Sequence, residues 1–367
     1  MRESAVVRTG LRRRFAAAVP LVVLAGTVGC SGASEQNPSL EVDSPSTAVA
    51  SSTSSTAVPP STARPAEFDP YRSARRATSA KGMVTDEWVE TTDGSRRHFR
   101  LYVPTTLRVG ESAPLLIALH GGLGSSEQFA ANSGFDELAE ANGFIVVYPD
   151  GIAASDRPGL QTWNGGYCCG PAARRDVDDV GFVQVLIDLL KERFNIDTER
   201  IFATGHSNGA IMAYRLACEL SDVIVAIGVQ AGSLGVDGCQ PEKPVSVLHI
   251  HGLADANHPI DGGMGTGVSG VEFRSGRLSV AALAEANECD GQSAVVAVPS
   301  NSDLEVTTWS DCNLDVTVQL ITVDGAGHAW MGHAAVSAAA VALVGEPYAE
   351  FDASLAVWSF LAEHPRR

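Results

Sequence analysis

A chain of 367 residues is long enough for one large or two ordinary domains, and its 45% hydrophobic and 19% charged content excludes wholesale disorder. Lys and Arg number 26 against 43 Asp and Glu, a net charge of −17. Setting aside the segment before Cys30, with five arginines and one glutamate, leaves 21 against 42, or −21. So acidic a body repels phosphate backbones and anionic lipid headgroups, and nucleic-acid binding is excluded.

In chain order, Met1 to Arg14 is basic, Phe15 to Gly29 is apolar or small, and Cys30 follows. These are the n-region, h-region and cleavage zone of an export signal, short of the ~20 residues that a spanning helix needs. Thr27-Val28-Gly29-Cys30 resembles a bacterial lipobox, in which Cys30 is lipidated, and Arg12-Arg13-Arg14-Phe15 resembles a twin-arginine signal. Residues 1–29 are thus expected to be a lipoprotein-type signal peptide. The mature protein is expected outside the cell, touching membrane only through its anchor. Residues 30–67 are Ser, Thr, Ala and Pro with scattered acids. With no large apolar residues at any period they cannot offset their ordering entropy, and a disordered tether is expected.

Residues 68–367 are expected to form one domain. His98–Val103 alternates as a half-buried edge strand does. Leu115–Leu119, Phe144–Tyr148, Ile201–Thr204, Val223–Val229, Val245–Ile250 and Val316–Val323 are short and β-branched, as strands covered on both faces are. Between them helices are expected over Ser126–Ala141, Val177–Phe194, Gly209–Leu220, Arg277–Ala286 and Phe351–Glu363. Asp176, Asp178 and Asp179 are placed to cap the second. This alternation implies an α/β fold with a doubly wound, mostly parallel sheet, whose chemistry lies in loops at the carboxyl ends of strands.

Cysteines besides Cys30 number six, which in an exported domain suggests three disulfides. Proximity favours Cys218–Cys239 and Cys289–Cys312, leaving Cys168 and Cys169 as a vicinal bond or as thiols. No C-x-x-C pair supports a zinc site.

Gly205-His206-Ser207-Asn208-Gly209 follows a strand and opens a helix, the setting in which G-x-S-x-G presents a nucleophilic serine. A serine needs a base, and the base an acid to fix its tautomer. Asp255, in His251-Gly252-Leu253-Ala254-Asp255, and His328, in Gly325-Ala326-Gly327-His328, each lie just past a strand end. Ser207, Asp255 and His328 follow the Ser–Asp–His order of such sites, with Asp261 as reserve acid. The glycine loop His120-Gly121-Gly122-Leu123-Gly124 suits an oxyanion hole: Gly122 and Asn208 are the expected amide donors, with Leu123 as fallback. His120 is expected beneath that loop, and His206 and His258 are pocket-lining or structural. His249 and His251, with Asp255, are an alternative metal constellation, disfavoured for lack of further ligands at suitable spacing. No cofactor or metal is expected.

These residues resemble the α/β-hydrolase family of polyhydroxybutyrate depolymerase-like and feruloyl or acetylxylan esterases. The matching pieces are Leu119-His120-Gly121, Tyr148-Pro149-Asp150-Gly151, Trp163-Asn164, Cys168-Cys169-Gly170, Val177 to Phe182, the Ser207 motif, His251-Gly252 with Asp255, and Gly327-His328-Ala329-Trp330. The resemblance implies a Ser207–His328–Asp255 triad acting on carboxylic esters through an acyl-enzyme, with Trp330 lining the substrate site. Trp163 is either a second wall or a core tryptophan. Leu123, Gly124 and Met331 depart from the family at the pocket rim. No polymer-binding module is expected beside the domain, which favours small or soluble esters as substrates; a monomer is the expected state. A polyhydroxybutyrate depolymerase proper, an envelope acyltransferase and an inactive surface-binding domain are the competing readings.

Overall fold

The computed structural model describes residues 81–153, 160–291 and 294–366. The expected signal peptide, Cys30 and the 30–67 tether lie outside these residues. Ten strands form one sheet: β1 (Met83–Glu90), β2 (Arg96–Val103), β3 (Ala113–Leu119), β4 (Ile145–Pro149), β5 (Ile196–His206), β6 (Ala226–Gln230), β7 (Ser246–Gly252), β8 (Ala294–Val298), β9 (Asn301–Trp309) and β10 (Val318–Val323). Their order across the sheet is β1-β2-β4-β3-β5-β6-β7-β10-β9-β8. The six from β4 to β10 run parallel, and antiparallel pairs extend both edges.

Strand alternation sorts the core into two layers. Leu115, Ile117 and Leu119 of β3 join one apolar cluster, and Leu116 and Ala118 join the other. The first layer is covered by α3 (Asp179–Arg193), α4 (Asn208–Glu219) and α5 (Gly276–Ala286). The second is covered by α1 (Ser126–Ser133), α2 (Phe135–Asn142) and α6 (Ala353–Glu363). From β3 the chain passes to β4 on one side, then returns to β5 on the other. That reversal opens a crevice at the carboxyl ends of β3 and β5, where such sheets bind ligands.

Three sequence expectations need correction. The strand at 98–103 is not the edge; β1 pairs outside it, and its polar sequence, MVTDEWVE, carries too weak an apolar period to be seen. The single helix expected over Ser126–Ala141 is two, broken where Gly134 takes φ 71°, a left-handed turn that favours glycine. Of the three aspartates at the start of α3, only Asp178 caps, accepting from the Gly181 amide at 2.8 Å. Asp179 is instead buried, its Oδ1 accepting from Arg97 Nη2 at 2.7 Å and its Oδ2 from the Asn164 amide at 2.7 Å. The antiparallel hairpin β8–β9 went unassigned as well.

All six described cysteines are paired, as Cys168–Cys169, Cys218–Cys239 and Cys289–Cys312. Cys218–Cys239 ties the end of α4 to the loop before β7, and Cys289–Cys312 brackets the hairpin β8–β9. Such pairing fits an extracellular protein. Replacing Cys218 and Cys239 by alanine should cost about 3 kcal/mol in the chain-entropy model, read as a lower denaturant midpoint at unchanged slope.

Asp136, in the first turn of α2, is mostly shielded from solvent, and burial pushes its carboxyl up to about 6, though the Tyr148 hydroxyl donates to it at 2.7 Å. A raised acid binds more protons folded than unfolded between its ordinary value near 4 and about 6, so its contribution to stability falls as pH rises through that window. Asp136→Asn should therefore flatten this fall in a series of melting curves from pH 4 to pH 7.

Candidate active site

Ser207 stands between β5 and α4 at φ 54°, ψ −117°, a conformation that holds its side chain out of the turn. The turn closes because its flanking residues lack side chains. A Cβ on Gly205 would run into the Gly209 carbonyl, and one on Gly209 into the Leu119 carbonyl of the neighbouring strand. The Ser207 amide donates to the Gln230 carbonyl at 2.9 Å.

His328, on the loop after β10, sets Nε2 2.9 Å from Ser207 Oγ and Nδ1 2.7 Å from Asp255 Oδ2. Three residues spread over 121 positions are thus one hydrogen-bonded chain, and Asp261, exposed and paired with Arg277, takes no part. Asp255 is largely buried, which opposes its charge; hydrogen bonds from His251 and His328 outweigh this and hold the carboxyl far below the usual range. Its Oδ1 also accepts the amides of Asn257 and His258, both at 2.9 Å. An anionic acceptor on Nδ1 fixes Nε2 as the side of the ring that takes a proton from serine.

The glycine loop after β3 lies against the nucleophile turn. A Cβ on Gly121 would sit 3.1 Å from His206 Nδ1 and 3.6 Å from Ser207 Cβ, and one on Gly122 3.5 Å from Asn208 Cβ. The Leu123 amide is already spent on the Gln161 carbonyl at 2.8 Å, so the fallback donor is removed. Gly122 and Asn208 remain as the candidate donor pair. The Asn208 side chain is clamped to the Trp163 backbone, accepting at 2.7 Å and donating at 3.0 Å. Beneath the loop, His120 Nδ1 donates to the Gly121 carbonyl and Nε2 accepts the Gly151 amide, while burial lowers its affinity for a proton.

Neither tryptophan is an open wall. Trp163 is fully buried, its indole N–H donating to the His120 carbonyl at 2.9 Å, which makes it the floor of the glycine loop. Trp330 is 3% exposed, packed edge-on to Phe129 and His206, with its N–H on Ser354 Oγ. The expectation that Trp330 lines the substrate is corrected, and of the two readings of Trp163 the buried core one fits: both rings back the loops that carry the site.

One positioning residue, Gln230, has no counterpart in the sequence reading, and a second, His206, was expected only as pocket-lining or structural. Gln230, at the end of β6, donates to the Ala329 carbonyl at 2.9 Å and accepts the Met331 amide at 3.0 Å, gripping the loop that carries His328. His206 Nε2 donates to the His328 carbonyl at 2.7 Å; burial, with the nearby His328, depresses its proton affinity to about 3, so it stays a neutral donor. A polar residue closing an apolar strand, as Gln230 does, is the signal that could have found the first. His249 and His251 face each other at 2.8 Å with their nitrogens committed to hydrogen bonds, and among the described residues no metal-binding cluster forms.

The parallel sheet, its crossovers and the strand–serine–helix turn define an α/β hydrolase. An acetyl xylan esterase from Aspergillus awamori shares this fold, with a TM-score of 0.51 at 17% identity over 67% of this chain and 94% of that one. The esterase PHB depolymerase family model matches residues 97–261, a span that holds Ser207 and Asp255 and stops before His328. A putative esterase, NocK, of Nocardia uniformis subsp. tsuyamanensis is 30% identical over 342 residues, covering 88% of this chain and 91% of its own length. Feruloyl esterase B of Piromyces equi is 32% identical over 233 residues, 62% of this chain; the match spans only 41% of that enzyme. The chain belongs to the esterase PHB depolymerase family.

Proposed function

We propose that this chain is an exported serine carboxylic-ester hydrolase acting on feruloyl-, acetyl- or short hydroxyalkanoate-type esters. The observation that carries the reading is the unbroken chain Ser207 Oγ–His328–Asp255 at the carboxyl edge of the sheet. His328 Nε2 takes the hydroxyl proton as Ser207 Oγ attacks the ester carbonyl, and the new oxyanion is received by the amides of Gly122 and Asn208. Asp255 stabilises the resulting imidazolium, which returns its proton to the leaving alcohol. Water, deprotonated by the same nitrogen, then releases the acid from Ser207. Feruloyl and acetylxylan esterases among the relatives support an aromatic or acetyl ester.

The deciding experiment offers the purified domain methyl ferulate, acetylated xylan, 3-hydroxybutyrate oligomers and nitrophenyl esters side by side. Turnover of at least one, with Ser207 labelled by an organophosphonate, is expected. Inertness toward all, with no label, overturns the reading.

Attachment by a lipid on Cys30 belongs to the same proposal. Cys30→Ser should move the protein from the detergent-extracted membrane fraction into the medium, whereas an unchanged distribution leaves a plain exported enzyme. Deleting residues 31–67 should leave turnover of soluble esters intact.

A further inference from the structure

One tryptophan serves neither the core nor the catalytic loops. Trp163, Trp330 and Trp358 are buried, but Trp88, on the edge strand β1, is 57% exposed. An indole left in water forgoes the burial that is its usual contribution to a fold. Its neighbours nevertheless fix it. The His98 ring meets it edge-on at 5.1 Å across the β1–β2 pair, and the Arg96 guanidinium lies over the ring, 5.4 Å from its centre. The indole is thus held in one orientation with much of its surface open.

A polar strip leads from this ring into a trough. Asp86 shares the face of Trp88 on β1, two residues and so about 7 Å away. It accepts from Arg100 Nη1 at 3.1 Å through both oxygens and lies 3.7 Å from His98 Nε2. Arg100 in turn lines a cavity of about 380 Å³, together with Glu127 of α1 and Asp136 and Glu137 of α2. That volume falls within the usual range of ligand clefts, roughly 300–1,000 Å³. His333, which follows His328 on the loop after β10, completes the lining, and the absent side chain of Gly134 gives its ring room.

Register places the strip at the catalytic edge of the sheet. Trp88 pairs with His98, and the next residue, Phe99, pairs with Pro149, the last of β4. The indole is therefore level with the strand ends that carry the glycine loop and the nucleophile. Four strand spacings separate β1 from β5, roughly 19 Å at about 4.8 Å each. A ligand that rests on Trp88 while its ester reaches Ser207 has to be a long one.

We infer that Trp88 and the adjoining trough bind the uncharged polysaccharide chain that bears the ester, outside the catalytic crevice. The inference rests on the esterase reading of the site. The negative face of an indole attracts the C–H groups of a pyranose, while carboxylate, guanidinium and imidazole groups exchange hydrogen bonds with its hydroxyls. Charge selects among polymers: Glu127, Asp136 and Glu137 outnumber the basic groups of the trough, Arg100 and His333, so an acidic polysaccharide is repelled. A chain held here raises the local concentration of its own esters at Ser207, which lowers KM for the polymer and does nothing for a small ester.

The test measures retention of the exported chain on neutral, ester-free xylan, with kcat and KM on acetylated xylan and nitrophenyl acetate, for wild type, Trp88→Ala and Glu137→Ala. Wild type should be retained by xylan and not by polygalacturonate. Trp88→Ala should bind xylan about tenfold more weakly and show a KM for acetylated xylan about tenfold higher, with kcat and nitrophenyl acetate turnover within about twofold of wild type. Glu137→Ala should weaken retention in the same direction, and it decides the matter if Trp88→Ala does not fold. Wild type that xylan does not retain, or that polygalacturonate retains equally, overturns the inference. So does Trp88→Ala retained as well as wild type, or Glu137→Ala so retained should the former not fold. Inertness toward every ester refutes the esterase reading instead, and is told apart because retention on ester-free xylan needs no turnover.

Discussion

Ser207→Ala should abolish both acyl-enzyme formation and organophosphonate labelling, and His328→Ala should lose nearly as much. Without the imidazole 2.9 Å away, the hydroxyl has no base, so removing either partner removes the same step. The double variant should therefore be little worse than either single one, since members of one catalytic unit are strongly non-additive. Asp255→Asn should lose on the order of 10⁴-fold in kcat, because an amide no longer dictates which nitrogen of His328 carries the proton. Single-turnover rates across the four variants check this. Losses that multiply would mean that the residues act in separate steps.

Arg97→Met should lower stability by about 3–5 kcal/mol, the usual consequence of leaving one member of a buried ion pair alone. Arg97 and Asp179 are 4% and 0% exposed and meet at 2.7 Å, while the guanidinium also donates to the Asp150 carbonyl and covers the Phe182 ring. Burial raises the Asp179 carboxyl even with Arg97 beside it. A raised acid contributes most at low pH, where folding retains its proton, so the variant's deficit should shrink as pH falls and grow as pH rises. Urea melts at pH 5 and pH 8 measure it. Activity should drop with stability only partly, since Asp179 also holds the Asn164 amide next to the Trp163–Asn208 clamp.

What could be read from the sequence was whatever rests on local chemistry. Gly205-His206-Ser207-Asn208-Gly209 announces itself because a sharp strand-to-helix turn tolerates few residue types, and Asp255 and His328 because each follows an apolar run. The inner parallel strands were legible for the same reason: they are buried on both faces and nearly continuous in Val, Ile and Leu. The β1 edge and the β8–β9 hairpin were not, since strands wet on one face draw their identity from partners far along the chain. Asp179 misled because a carboxylate beside a helix start has an ordinary local role, and nothing nearby reveals an arginine 82 residues upstream. Trp330 misled in a different way. The family resemblance implied contact with substrate, yet the ring turns inward onto Phe129, where it braces the loop from behind.

Gln230 gives the two halves of the site a common ruler. Its main-chain carbonyl fixes the amide of the nucleophile, and its side-chain amide grips the loop of the base on both sides of Trp330. Ser207 and His328 are therefore both tied to the tip of one strand, and a shift of that tip should carry them together rather than open the gap between them. A donor–acceptor distance insulated in this way is what an enzyme needs if proton transfer is to remain in register through thermal motion.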